Sequence, residues 1–305
     1  MSRIHEALKR AEEQRAASQG GLVPASQTPE ATVSDTPVEA QMVAKASTGM
    51  PSFAAPFTFD TLLARCPQNN WIPDTQTMLF FKAEEQGYGK EEFRTLRSRL
   101  YQIREKLALK KVLVTSALPK EGKSFVAANL AQVMVRQHGR RALLIDADLR
   151  GARLHHVLGT AATPGLAEYL LGENDEFGIM QRGAMENLFF IPSGRSVSNP
   201  AELVANGRLK ILLNRVEALF DWIIIDSPPA VPVSDAGLLA NYCDGVVMVV
   251  RSNATPFDMA RKARQEFRDK HLVGVVLNGI EAGSSYYNQY YYGAYGPSAK
   301  GATQR

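Results

Sequence analysis

The stretch that most constrains this chain is the apolar run Val112-Leu113-Val114-Thr115, which leads through Ser116 into Ala117-Leu118-Pro119-Lys120-Glu121-Gly122-Lys123-Ser124 and a helix-forming segment. Strand, glycine-containing loop and helix in that order form the phosphate-binding loop pattern, here with Ala117 in place of the first glycine. Gly122 lets the backbone approach a phosphate, and successive N–H groups at a helix N-terminus hold the anion. Lys123 is placed to reach the β- and γ-phosphates, and the Ser124 hydroxyl to ligate Mg²⁺. With Pro119, Lys120, Glu121 and Phe125 these residues make the expected nucleotide contacts, with ATP and Mg²⁺ as cofactors. No G-x-G-x-x-G follows this strand, which disfavours a dinucleotide fold.

Around this loop, short apolar runs alternate with helical patterns. Strands are expected at 111–116, 142–145, 188–191, 222–225, 246–250 and 273–277. Helices are expected at 122–137, 166–171, 209–220, 236–242 and 256–269, and a further one at 91–107, with Phe93, Leu96, Leu100 and Ile103 on one side. Continuous apolar strands are what a parallel sheet covered on both faces requires. The fold expected is therefore α/β, a doubly wound and mostly parallel sheet of the P-loop type with helices on both faces. Its ligands should bind at the carboxyl ends of the strands.

Two of those ends carry acids. Leu143-Leu144-Ile145-Asp146-Ala147-Asp148 places two carboxylates at i, i+2 on a strand end, which suits a cation or a proton acceptor. Trp222-Ile223-Ile224-Ile225-Asp226 ends an apolar strand in the position of a second Mg²⁺-associated carboxylate. Either could be a charged strand exit with no chemical duty, and the neighbouring phosphate loop favours function. Asn278, ending the last strand, is open between an adenine contact and a structural amide.

Outside the 90–280 domain the pattern weakens. Residues 1–15 are expected to form a short amphipathic helix, with Ser2 as N-cap and Ile4, Ala7, Leu8 and Ala11 on one face. It is either a solvated helix or a docking helix for a partner or membrane surface. Residues 16–56, rich in Ala, Ser, Thr, Pro, Gln and Gly, cannot bury enough apolar surface to order and should be a disordered linker. Residues 57–89 hold aromatics without a period and form a poorly patterned lead-in segment, open to lying against the folded domain that begins near Lys90. Residues 281–305 are expected to be a flexible tail, and Tyr286, Tyr287, Tyr290, Tyr291, Tyr292 and Tyr295 in it account for six of the ten tyrosines. A net charge of +4 with no dense basic run gives no support for nucleic-acid binding. Cys66 and Cys243 lie far apart, as in a reduced, cytoplasmic compartment. No signal peptide opens the chain, and no apolar run approaches the roughly 20 residues of a membrane span.

The phosphate loop, the acidic motif on the next strand and Asp226 together resemble the P-loop ATPases that include partition and septum-site ATPases, iron–sulfur carrier ATPases and bacterial tyrosine kinases. Partition-type members carry a signature lysine five positions before the invariant one, where this chain has Leu118. The bacterial tyrosine kinases lack that lysine and carry a tyrosine-rich tail. They also carry E-x-x-R-x-x-R, present here as Glu91, Arg94 and Arg97. The resemblance spans about residues 90–296 and includes Pro192-Ser193-Gly194 and Asn199-Pro200-Ala201-Glu202-Leu203. The opening Ser2-Arg3-Ile4-His5-Glu6-Ala7-Leu8 looks like that of kinases tied to exopolysaccharide loci.

This resemblance implies an ATP-dependent autokinase that phosphorylates the tail tyrosines in trans and regulates exopolysaccharide or capsule polymerisation and export. It implies Lys123, Asp146, Asp148 and Asp226 as the catalytic set, with Asp146 the leading base and Asp148 and Asp226 organising Mg²⁺. Glu91, Arg94 and Arg97 would form the contact of a homo-oligomeric ring. Fused transmembrane helices are absent, so a separate membrane chain-length or co-polymerase protein would activate the enzyme at the inner face of the plasma membrane, and a cognate tyrosine phosphatase would reverse it. The alternative is a partition-type, nucleotide-switched scaffold without kinase activity. A third reading, an adaptor that has lost catalysis, is disfavoured by the retained lysine, serine and three aspartates.

Overall fold

The computed structural model describes residues 57–66, 68–81 and 89–280. The expected helix at 1–15, the linker 16–56 and the tail tyrosines lie outside them. The described chain forms helices α1 (Phe59–Arg65) and α2 (Lys90–Arg104), strand β1 (Lys111–Ser116), helix α3 (Lys123–Val135), strand β2 (Ala142–Asp146) and helices α4 (Leu154–Leu158), α5 (Leu166–Leu171) and α6 (Glu176–Ile179). Strands β3 (Gln181–Arg182) and β4 (Leu188–Ile191), helices α7 (Pro200–Ala205) and α8 (Arg208–Glu217), strand β5 (Trp222–Asp226), helix α9 (Asp235–Ala240), strand β6 (Gly245–Arg251), helix α10 (Phe257–Glu266) and strand β7 (Leu272–Asn278) complete it.

The sheet order is β3-β4-β2-β5-β1-β6-β7, parallel throughout except for β3 against β4. Successive side chains on a strand face opposite ways, and this splits the interior into two cores. Leu113, Ile223 and Ile225 face one core with α5, α8 and α9, whereas Val112, Val114 and Ile224 face the other with α3. Helix α3 is buried continuously from Val126 to Met134, as expected of a helix apolar on all sides. It is the element that carries Lys123 and Ser124.

Two expectations need revision. The packed structure does not start near Lys90: the lead-in segment is part of the core. Leu62 and Cys66 enter one core, and Trp71, Met78 and Phe80 enter the other. Each such burial contributes roughly 1.5–3 kcal/mol. The segment rounds the β3 edge between them, pairing Gln68 with Arg182 and packing Trp71 on Phe190. Its aromatics show no period because only α1, capped by Thr58, is regular. Second, β7 is not covered on both faces. Among the described residues it is an edge strand, with Val275 55% and Leu277 51% exposed.

Candidate active site

The loop between β1 and α3 is shaped by two left-handed residues, Lys120 (φ 66°) and Gly122 (φ 97°). Such turns gather successive N–H groups into an anion-binding concavity. Gly122 is required twice over. Its φ disfavours any side chain, and a Cβ there would lie 2.0 Å from Asn278 Nδ2. Ala117 is buried in the core and is not among the left-handed residues, so alanine fits where the pattern has glycine.

Neighbouring strands grip the loop from behind. Asn278 Nδ2 donates to the Glu121 carbonyl (2.9 Å), and Arg251 Nη1 donates to the Lys120 carbonyl (3.1 Å). The buried Glu121 carboxylate accepts from Leu118 N (2.9 Å) and is hydrogen-bonded to the Thr255 hydroxyl. Glu121 and Asn278, expected to contact nucleotide, thus hold loop backbone with their side chains. For Asn278 the geometry favours the structural reading. Phe125 packs edge-on against Phe93 of α2, with ring centroids 5.8 Å apart. Pro119, Lys120, Gly122, Lys123 and Ser124 line a cavity of about 520 Å³.

The carboxyl ends of β2 and β5 bring the three aspartates to this loop. Parallel register sets Asp146 directly beside Asp226. Both are fully buried. Asp146 accepts from Asp148 N (3.3 Å) and Leu154 N (3.1 Å), but neither Asp226 oxygen has a hydrogen-bond partner. The Ser124 hydroxyl lies near Asp226 without completing a bond. Burial raises the pKa of both acids above the usual carboxylate range. The neighbouring Asp226 charge raises Asp146 further, whereas Lys123 opposes the rise at Asp226. Above them Lys123 Nζ pairs with Asp148 Oδ2 at 2.8 Å. Burial works against the Lys123 charge, but Asp226, Asp148 and Asp146 outweigh it and raise its pKa.

An unpartnered buried carboxylate beside a second one is costly unless a cation joins them. The donor set, which includes the Ser124 hydroxyl and Asp226, would therefore fit Mg²⁺. Among the described residues no group of three His, Cys, Asp or Glu side chains could hold a metal alone. That too suits Mg²⁺, which takes one or two carboxylates, phosphate oxygens and water. Of the three aspartates only Asp148 lines the cavity.

Several residues at the site carry no role in the sequence reading. Arg150 forms a two-pronged pair with the buried Asp235 (2.7 and 3.0 Å), tying the β2–α4 loop to the start of α9. Its place two residues after Asp148 was the available signal. Thr77 and Met78, from the lead-in segment, line the cavity with Lys123 and Asp148, and no local pattern announces them. The three charges read as a ring contact separate in the structure. Arg94 pairs with Glu91 at 3.0 Å, but Arg97 Nη1 donates to the Val133 carbonyl of α3 at 3.0 Å.

Comparison with known proteins agrees with this geometry. A family model described as an AAA domain matches residues 120–257. The chain is 36% identical over 213 residues to the tyrosine-protein kinase YwqD of Bacillus subtilis, covering 69% of this chain and 89% of that protein. It is 31% identical to the tyrosine-protein kinase wzc of Salmonella typhimurium, of whose length it spans only 29%. Among solved structures, the chimerical protein CapA2B2 aligns over 73% of this chain and 99% of that one, with 28% identity and a TM-score of 0.64. The kinase domain of the Escherichia coli tyrosine kinase ETK aligns over 62% of this chain and 75% of that one, with 29% identity and a TM-score of 0.60. A phosphate loop facing three strand-end aspartates on a parallel sheet, with this identity over nearly the whole of a relative, means that the chain belongs to the bacterial tyrosine-protein kinase family.

Proposed function

We propose that the protein is an ATP-dependent tyrosine autokinase that transfers the γ-phosphoryl group of Mg·ATP to Tyr286, Tyr287, Tyr290, Tyr291, Tyr292 and Tyr295 of a neighbouring copy. The observation that carries the reading is the convergence of Lys123 with Asp146, Asp148 and Asp226 at the mouth of the phosphate loop. In this reaction the phenol oxygen bonds to the γ-phosphorus, the bond from that phosphorus to the bridging oxygen breaks, ADP leaves and the phenol proton passes to a base. Tyrosine has a pKa near 10, so a positioned carboxylate aids the attack.

The leading candidate from resemblance was Asp146, but its burial and its two backbone hydrogen bonds fit an organising role. Asp148, which alone of the three lines the cavity, is the better candidate for the acceptor proton. Lys123 must leave Asp148 to reach phosphate, and its departure frees that carboxylate as nucleotide binds. Bound Mg²⁺ would supply charge neutralisation on the β- and γ-phosphates, held by Ser124 and Asp226. Most of the rate should come from positioning and electrostatics.

From the family resemblance, the reading also includes a ring of copies, a membrane-protein activator, a tyrosine phosphatase and control of polysaccharide assembly or export. The test is a mixing experiment. Lys123→Met protein supplies acceptors without catalysis, and protein with all six tail tyrosines changed to Phe supplies catalysis without acceptors. Phosphotyrosine should form on the Lys123→Met chain only in the mixture with Mg·ATP and the activating partner. An unlabelled mixture, where parental protein labels, refutes transfer between copies. A parental protein that never labels refutes the kinase.

A further inference from the structure

Residues 68–81 cross three elements in succession. Asn69 N donates to the Arg182 carbonyl of β3 (2.9 Å). Asp74 N donates to the Val157 carbonyl of α4 (2.9 Å), and Ile72 N to the Gly159 carbonyl just beyond it (3.1 Å). The chain then turns at Asp74, whose carboxylate accepts from Gln76 N and the Thr77 hydroxyl, each at 2.9 Å. Beyond the turn it lies along α3, the helix of Lys123 and Ser124.

Helix α3 meets it with two amides in an otherwise apolar stretch, Asn129 and Gln132, both wholly buried. A buried amide is unfavourable unless its groups are hydrogen-bonded. Asn129 Oδ1 accepts from Leu79 N (2.9 Å) and its Nδ2 donates to the Thr77 carbonyl (2.9 Å), while Gln132 Oε1 accepts from Phe80 N (3.2 Å). Arg136, in the next turn, donates to the Phe80 carbonyl. At its other end the segment holds α4, and the N–H of Leu154, the first residue of α4, holds Asp146. Thr77 and Met78, between the two anchorages, line the catalytic cavity.

We infer that residues 72–81 are a brace joining α3 to α4, which sets Lys123 and Ser124 in register with Asp146 and Asp148 for phosphoryl transfer. Asn129, Gln132 and Asp74 are its positioning residues. The inference rests on the phosphoryl-transfer reading above. Among the described residues no hydrogen bond joins the brace to the phosphate-loop backbone, so it should matter more to the reacting geometry than to nucleotide affinity.

Two variants test it. Asn129→Leu leaves the Leu79 N–H and the Thr77 carbonyl without their amide partner. Asp74→Ala removes the acceptors of the exposed turn and leaves α3 untouched, so it decides alone if Asn129→Leu does not fold. In each, amide exchange at Leu79 and Phe80 should speed up at least about tenfold. kcat for tail labelling should fall about ten- to a hundredfold, the scale of a misplacement near 1 Å. The Kd for a fluorescent ATP analogue in EDTA should move less than about threefold, because uniform binding is preserved.

Faster exchange with kcat within twofold of parental overturns the inference and leaves the segment a structural clasp. A Kd loss equal to the kcat loss, or unchanged exchange, overturns it equally. If parental protein never labels, the kinase reading alone falls, and the same comparison is made on Mg·ATP hydrolysis.

Discussion

Replacing Asp226 by Asn should abolish activity and at the same time stabilise the protein without nucleotide. Burial pushes the Asp226 pKa from 3.8 to about 6. A rise of that size costs the folded state roughly 3 kcal/mol once the group must ionise. The sign follows from proton binding. Between pH 4 and 6 the folded protein holds this proton and the unfolded chain does not, so stability falls as pH rises. The full cost is present above about pH 6 and absent below about pH 4. Asparagine keeps the shape and removes the charge, but a buried amide without partners costs about 1–3 kcal/mol itself. Lys123 keeps its 2.8 Å partner Asp148, so no buried cation is orphaned. The net gain should be at most about 2 kcal/mol, or up to about 8 °C in Tm for a domain of this size. Thermal melts of both proteins at pH 7.5 in EDTA should show the rise. Near pH 4, where parental Asp226 is neutral, only the amide cost remains and the parental protein should be the more stable. At pH 7.5 the gain should shrink or reverse with Mg·ATP, which only the parental site binds fully. A Tm for Asp226→Asn several degrees below parental in EDTA would refute the reasoning, because Asp226 would then be a satisfied ion partner and not an unpartnered acid.

Gly122→Ala should cut phosphotransfer about a hundredfold, because a methyl 2.0 Å from Asn278 Nδ2 at φ 97° must displace the loop. Adding Asn278→Ala removes the clash but not the backbone strain, so partial rescue is expected in the same labelling assay. Arg97→Ala should lower stability by about 1.5–3 kcal/mol, since its guanidinium serves a carbonyl in the last turn of α3. Arg94→Ala, at an exposed pair, should change stability by less than about 1 kcal/mol. Sedimentation velocity beside thermal melts separates the two; a large effect of Arg97→Ala on association with unchanged Tm would contradict the assignment.

What could be read directly from the residues was whatever repeats locally. The phosphate loop was legible because its chemistry tolerates few spacings and needs a strand before and a helix after. Interior strands such as Trp222–Asp226 were legible as unbroken apolar runs, and the edge strand β7 reads identically although half of it is bare. Helices α4, α6 and α7 are too short to establish a period, and β3 has two residues. The lead-in segment escaped because its stabilising partners, Asn129, Gln132, Phe190 and Arg182, lie far along the chain. Asn129 and Gln132 are wholly buried, which the helical pattern at 122–137 does not announce. At the site, residue identities were legible and their division of labour was not. Which carboxylate faces the cavity depends on how three loops leave the sheet. Spacing put Glu91, Arg94 and Arg97 on one face, but the length of an arginine carried the third to a neighbouring helix.

The two margins of the sheet differ in a way that bears on how copies of this chain can meet. At one margin β3 is sheathed by the Gln68 bridge and the Trp71 ring, while at the other no strand pairs beyond β7 among the described residues, and Val275 and Leu277 are exposed. A sheet with one open margin can pair only once, edge to edge, and the pairing ends there as a closed twofold dimer. A fragment begun at residue 90 would lose its sheath and acquire a second open margin, and β3 of one copy could then add to β7 of the next without limit. The lead-in segment thus works as a stopper as well, and its removal should turn a particle of finite size into a polymerising one.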